Sequence, residues 1–129
     1  VIECNLRPHH REVIEHLTAQ FGDDTRFPAL IVAGSIAHGW ERDDSDVDIM
    51  LVATVEEYNW RRPERAFHYF TRDFSNYPGG YVDGKIIDLA FLREVAEKDS
   101  EPARAAFAGT WCAYSRLAEI DELVQRIPT

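Results

Sequence analysis

The residues best placed by type and spacing to do chemistry together form the run Gly34-Ser35-Ile36-Ala37-His38-Gly39-Trp40-Glu41-Arg42-Asp43-Asp44-Ser45-Asp46-Val47-Asp48. A Gly-Ser turn follows the apolar run 27–33, and an Asp-x-Asp pair enters a second apolar run, 47–52. Side chains alternate along a strand, so Asp46 and Asp48 are expected on one face, about 6.6–7 Å apart along the backbone. Two carboxylates at that spacing can reach one divalent cation. Mg²⁺ prefers hard oxygen ligands and keeps positions for water and substrate phosphates, which suits such a pair better than a closed protein cage. Gly34 lets the main chain approach a phosphate closely, and Ser35 with the first N–H groups of the following turn can bind phosphate oxygens. The pattern therefore predicts a metal-bound triphosphate.

Competing motifs fail on the same residues. Gly34 and Gly39 have the outer spacing of a P-loop, but Trp40-Glu41 stands where Lys-Ser/Thr is required. Asp44, Asp46 and Asp48 imitate the first ligands of a calcium loop, yet Ile49 replaces its turn glycine and Val55 its closing glutamate. The dinucleotide fingerprint G-x-G-x-x-G is absent. A second metal would need another acid on a neighbouring strand. Asp88, inside the apolar run Lys85-Ile86-Ile87-Asp88-Leu89-Ala90, is the candidate, because a buried carboxylate needs a metal, a hydrogen bond or a cleft. Two cations about 3.5–4 Å apart would activate an attacking hydroxyl and stabilise departing pyrophosphate, which is the chemistry of nucleotidyl transfer.

Gly34-Ser35-x-Ala37-x-Gly39 followed by Ser45-Asp46-x-Asp48 resembles the nucleotidyltransferase superfamily related to DNA polymerase beta, above all its small antitoxin-type and antibiotic-modifying members. The resemblance runs from Ala29 to the last helix. It implies a mixed sheet with flanking helices, catalytic and metal carboxylates at Asp46, Asp48 and Asp88, and two Mg²⁺ ions. It also implies an NTP, with ATP preferred, as substrate. The expected reaction transfers a nucleoside monophosphate to a hydroxyl of a small molecule or protein and releases pyrophosphate. Many small members carry arginine where this chain has Ile36 or His38, so Arg42 or Lys85 is expected to stand in at the triphosphate beside Gly34, Ser35 and Ser45. A second reading stays open: an antitoxin-like module that silences or nucleotidylates a partner protein. A homodimer or a helical partner domain is expected to complete the acceptor side, the chain being a single domain, 1–129, or the N-terminal part of a longer protein.

These residues need elements to hold them. The chain has 129 residues, 45% apolar and 29% charged, enough for one compact core. Its formal charge of −9 disfavours a surface that neutralises many phosphates, so nucleic acid is not an expected partner. Cys4 and Cys112 form no C-x-x-C pair and no apolar run approaches the ~20 residues of a membrane span, so a reducing cytoplasm is the default compartment. Val13, Ile14, Leu17 and Phe21 have the spacing of an amphipathic helix over 11–21. Strands are expected at 27–33 and 47–52, with a short helical turn over 36–40 between them. Thr54-Val55-Glu56-Glu57 has the form of a capping box, opening a helix at 55–61, and Pro63 is expected to open another through Phe70. Asp83-Gly84 predicts a tight hairpin between 81–82 and 85–92. A helix over 101–108, a strand over 111–114 and a helix over 120–127 complete an α/β (α+β) fold with a mixed sheet of four or five strands. His9, His10, His16 and His68 show no ligand spacing, Trp40 and Trp60 are read as packing aromatics, and Asp43 and Asp44 as a solvated loop.

Overall fold

A computed structural model describes residues 6–98 and 101–127; Cys4 and Pro128 lie outside them. The elements run α1 (Pro8–Gly22), β1 (Ala29–Ala33), α2 (Gly34–His38), β2 (Val47–Ala53), α3 (Val55–Arg61), β3 (His68–Thr71), β4 (Val82–Asp88), α4 (Leu89–Lys98), α5 (Glu101–Phe107), β5 (Trp111–Ser115) and α6 (Ala118–Arg126). The strands form one sheet in the order β3-β4-β2-β1-β5. Neighbours are antiparallel except β2 and β4, which run parallel. The mixed sheet with flanking helices expected from the sequence is the observed architecture.

Every residue of β1 is buried because both faces of the sheet are covered. On one face Leu30 and Val32 of β1 and Ile49 and Leu51 of β2 meet Val13, Ile14 and Leu17 of α1. On the other, Ile31, Met50, Val52 and Ile87 meet Leu92 of α4, Phe107 of α5 and Ile120, Leu123 and Val124 of α6. Each such side chain contributes about 1.5–3 kcal/mol by leaving water. No helix among the described residues is long and apolar enough to cross a membrane.

Local signals worked where they were self-contained. The Thr54 hydroxyl accepts the Glu57 N–H at 3.2 Å and opens α3 at the expected residue. The return arm of the box is not used, since the Glu57 carboxylate takes Arg61 Nε at 2.6 Å one turn on. Two expectations are corrected. Past Pro63 the chain makes only a 3₁₀ turn, Arg62–Glu64, ended by Arg65 at φ 53°, before β3. The hairpin at Asp83-Gly84 does not form: β4 runs straight through it, because both its edges are claimed, by β2 and by β3. Gly84 sits where a Cβ would lie 2.9 Å from Ile49 Cγ1 and 3.3 Å from Tyr69 Cβ, so the glycine serves close sheet packing and not a turn.

Candidate active site

β1 and β2 pair so that Ala33 lies opposite Asp48, which brings the Gly34 turn onto the start of β2. Gly34 has φ 67°, a left-handed backbone that glycine adopts without steric cost. A Cβ built there would lie 2.1 Å from Asp48 Oδ2 and 2.8 Å from its Cγ. The Asp48 carboxylate thus occupies the space that any other side chain at position 34 would fill. Asp46 stands just before β2, and its carboxylate acts on that of Asp48 by charge and, when one of the two holds a proton, by a hydrogen bond.

Asp88 does not stand beside this pair, and Asp83 does. Parallel pairing sets Asp83 opposite Asp48, and Asp88 opposite Ala53, five register positions or about 16 Å along the sheet. Asp88 Oδ1 instead accepts the Phe91 N–H at 2.9 Å and caps the first turn of α4. Asp83 was hidden in the supposed hairpin turn, although the alternation Val82 buried, Asp83 half-buried, Gly84 buried, Lys85 exposed, Ile86 buried already reads as one continuous strand. Its carboxylate is hydrogen-bonded to His68 Nε2 of β3, a histidine that sequence spacing had left without a role.

Burial pushes Asp48 up to about 7, and the hydrogen bond from Asp46 and the charges of Asp46 and Asp83 push the same way, while Lys85 opposes them. A carboxyl that takes its proton more readily folded than unfolded costs nothing below its ordinary value of 3.8, destabilises the fold progressively as pH rises from there to about 7, and adds no further cost above it. Without divalent cations, Asp48→Asn is therefore expected to melt above the parent protein at pH 8, with the gap narrowing as pH falls below about 7 and closing near pH 4. Differential scanning calorimetry in a chelator checks this. A higher-melting parent at pH 8 would contradict it.

Asp48 and Asp83 open onto a cleft of about 450 Å³, within the range of small-molecule sites. Gly34, His38 and Lys85 are among its polar lining, and Met50, Ile87, Phe91 and Phe107 among its apolar lining. Gly109, at φ 76°, lets the chain after α5 pass α2 so closely that a Cβ would lie 2.3 Å from the Ala37 carbonyl oxygen. Among the residues expected at a triphosphate, Gly34 and Lys85 are in the cleft lining; Ser35, Arg42 and Ser45 are not. Ser35 is half-buried in α2, and Arg42 is exposed. The Ser45 hydroxyl accepts the Arg42 N–H at 2.8 Å and so shapes the loop. His38 stacks on Trp40 with centroids 4.4 Å apart. Trp40 and Trp60 are 73% and 76% exposed, so neither is the core aromatic that the sequence suggested.

The loop itself is held from a distance. Arg7 pairs with Asp43 at 2.5 Å and donates to the Glu41 carbonyl at 3.0 Å, and His9 Nε2 donates to the Asp43 carbonyl at 2.7 Å. His10, wholly buried, donates from Nε2 to the Ser45 carbonyl at 3.0 Å. Burial holds this histidine below its ordinary proton affinity, with the charges of His9 and Arg7 acting in the same direction. No local pattern signals these contacts, which span about 35 residues.

The chain matches no model of a known protein family and no curated protein. Function has therefore to be argued from the site. Among the described residues no three His, Cys, Asp or Glu side chains gather closely enough to enclose a metal ion. What is present is Asp48 with Asp83 opposite it in the lining of a cleft, and Asp46 next to Asp48 outside that lining.

Proposed function

We propose that this protein is a metal-dependent nucleotidyltransferase, moving a nucleoside monophosphate from an NTP to a hydroxyl acceptor. The observation that carries the reading is the seating of Asp48 against the bare Cα of Gly34, with Asp46 acting on it and Asp83 beside it on the neighbouring strand, at the cleft. Carboxylates crowded this way repel one another unless a proton or a cation intervenes. Their chemistry fits Mg²⁺, which takes one or two carboxylates together with substrate phosphates and needs no full protein cage. Asp46 and Asp48 would hold it, with Asp83 as the further acid on the same sheet face.

When bound, the cation neutralises triphosphate charge and favours in-line displacement of pyrophosphate. Lys85, exposed on that face, offers a flexible ammonium to phosphate oxygens. Asp48 and Asp83, fixed by strand pairing, orient the polar groups, while Ile87, Phe91 and Phe107 give a ring system an apolar surface. The acceptor oxygen would bond the α-phosphorus and release its proton to solvent as the bond to the bridging oxygen breaks and pyrophosphate leaves. ATP is the nucleotide to test first.

Thermal unfolding with each NTP, with and without Mg²⁺, tests the reading. A ligand at 100 times its Kd adds about 2.7 kcal/mol, a rise of several degrees for a domain of this size. A Mg²⁺-dependent rise that vanishes in Asp46→Asn/Asp48→Asn is the expected result. No rise with any NTP would remove the basis for the enzymatic reading.

A further inference from the structure

The loop that carries Asp46 is unfavourable by its own charge. Glu41, Asp43, Asp44, Asp46 and Asp48 fall within eight residues, and Asp46 lies outside the ladder of β2. Mutual repulsion would spread such a segment unless its backbone were tied down. Two buried or half-buried side chains tie it at one atom, the carbonyl oxygen of Ser45, in the peptide bond that leads into Asp46. His10 donates to it at 3.0 Å and the Tyr77 hydroxyl at 2.7 Å.

The two donors are themselves fixed. The His9, His10 and Tyr77 rings pack at centroid distances of 4.2, 4.6 and 5.4 Å. Tyr77 also lies flat over Gly80, where a Cβ would stand 2.5 Å from its Cζ. His10 Nδ1 is buried with no hydrogen-bond partner among the described residues, so this ring's polar contact in the structure is the one to the loop. The Val47 N–H, one residue past Asp46, is held by the Tyr81 carbonyl at 3.0 Å. Asp46 is thus pinned on both sides along the backbone.

We infer that Tyr77 and His10 are positioning residues for the metal site: by holding the Ser45 carbonyl they keep the Asp46 carboxylate beside Asp48. The inference rests on the reading of Asp46 as a metal ligand. Tyr77→Phe removes one oxygen and leaves the ring packed. Its effect is measured on the full chain by Mn²⁺ titration in the presence of ATP, followed by electron paramagnetic resonance, and by hydrogen exchange of peptides covering 41–47 without metal. Tyr114→Phe is the control, since that hydroxyl bonds the Phe27 carbonyl at 2.6 Å, far from the loop.

Tyr77→Phe is expected to weaken Mn²⁺ binding about tenfold and to speed exchange of 41–47 by a similar factor, with Tyr114→Phe changing neither. Unchanged Mn²⁺ affinity in Tyr77→Phe overturns the inference, whether or not exchange quickens. Weaker binding with unchanged exchange overturns it too, because the effect would then not pass through the loop. If the parent chain binds no Mn²⁺ with ATP, the reading of Asp46 as a ligand fails first, and the inference falls with it.

Discussion

Gly34→Ala is expected to abolish the Mg²⁺-dependent nucleotide shift and to lower the melting temperature by about 5–15 °C. Two costs combine. An alanine at φ 67° is strained by about 1–2 kcal/mol, and its methyl carbon would stand 2.1 Å from Asp48 Oδ2. The turn is backbone held between β1 and α2 and the carboxylate is a side chain, so Asp48 moves. With a total penalty of about 1–3 kcal/mol, the fold survives in a domain of ordinary stability. Gly39→Ala is the matched control: its φ is 76°, so the strain is similar, but nothing lies within 4 Å of its Cβ. Gly39→Ala should therefore melt lower and keep its nucleotide shift. If both variants lose the shift, strain in α2 and not the seat of Asp48 is responsible.

The second large effect separates two aspartates on one strand. Asp83→Asn is expected to weaken Mg²⁺-dependent nucleotide binding by roughly 10–100-fold, the range seen when a carboxylate beside a metal is altered, with little change in stability. Asp88→Ala should do the opposite. Loss of the cap on the Phe91 N–H costs about 0.5–2 kcal/mol, and nucleotide affinity stays at the parent value. Isothermal titration of Mg²⁺ and ATP on both variants decides between them. Full loss of binding in Asp88→Ala would overturn the choice of Asp83 over Asp88 as the further acid.

The error over Asp88 shows which information a sequence carries locally. The capping residue Thr54, the apolar stripe of α1 and the Gly-Ser turn are each decided by neighbours a few residues away, and each was legible. Which acid faces Asp48 depends on the direction and register of a strand 35 residues downstream. Asp88 stood out because an acid in an apolar run looks costly, but the cost is met by the α4 cap. Asp83 was obscured because Asp-Gly is a strong turn signal that lost to two flanking strands competing for the same backbone. His10 gave no sign at all: a histidine in the first turns of a helix reads as surface until a loop some 35 residues away is laid over it.

The lone parallel pairing, β2 with β4, also sets an order of events in folding. β1 and β2 are antiparallel and close through the short span 34–46, so Gly34 can meet Asp48 early. Asp83 can join them only after the chain has passed through α3 and β3 and returned, a wider loop than the one between β1 and β2 and so a costlier one to close. A chain still emerging from the ribosome therefore holds two of its three acids before the third, and the cluster is complete before β5 emerges to close the other edge of the sheet on β1.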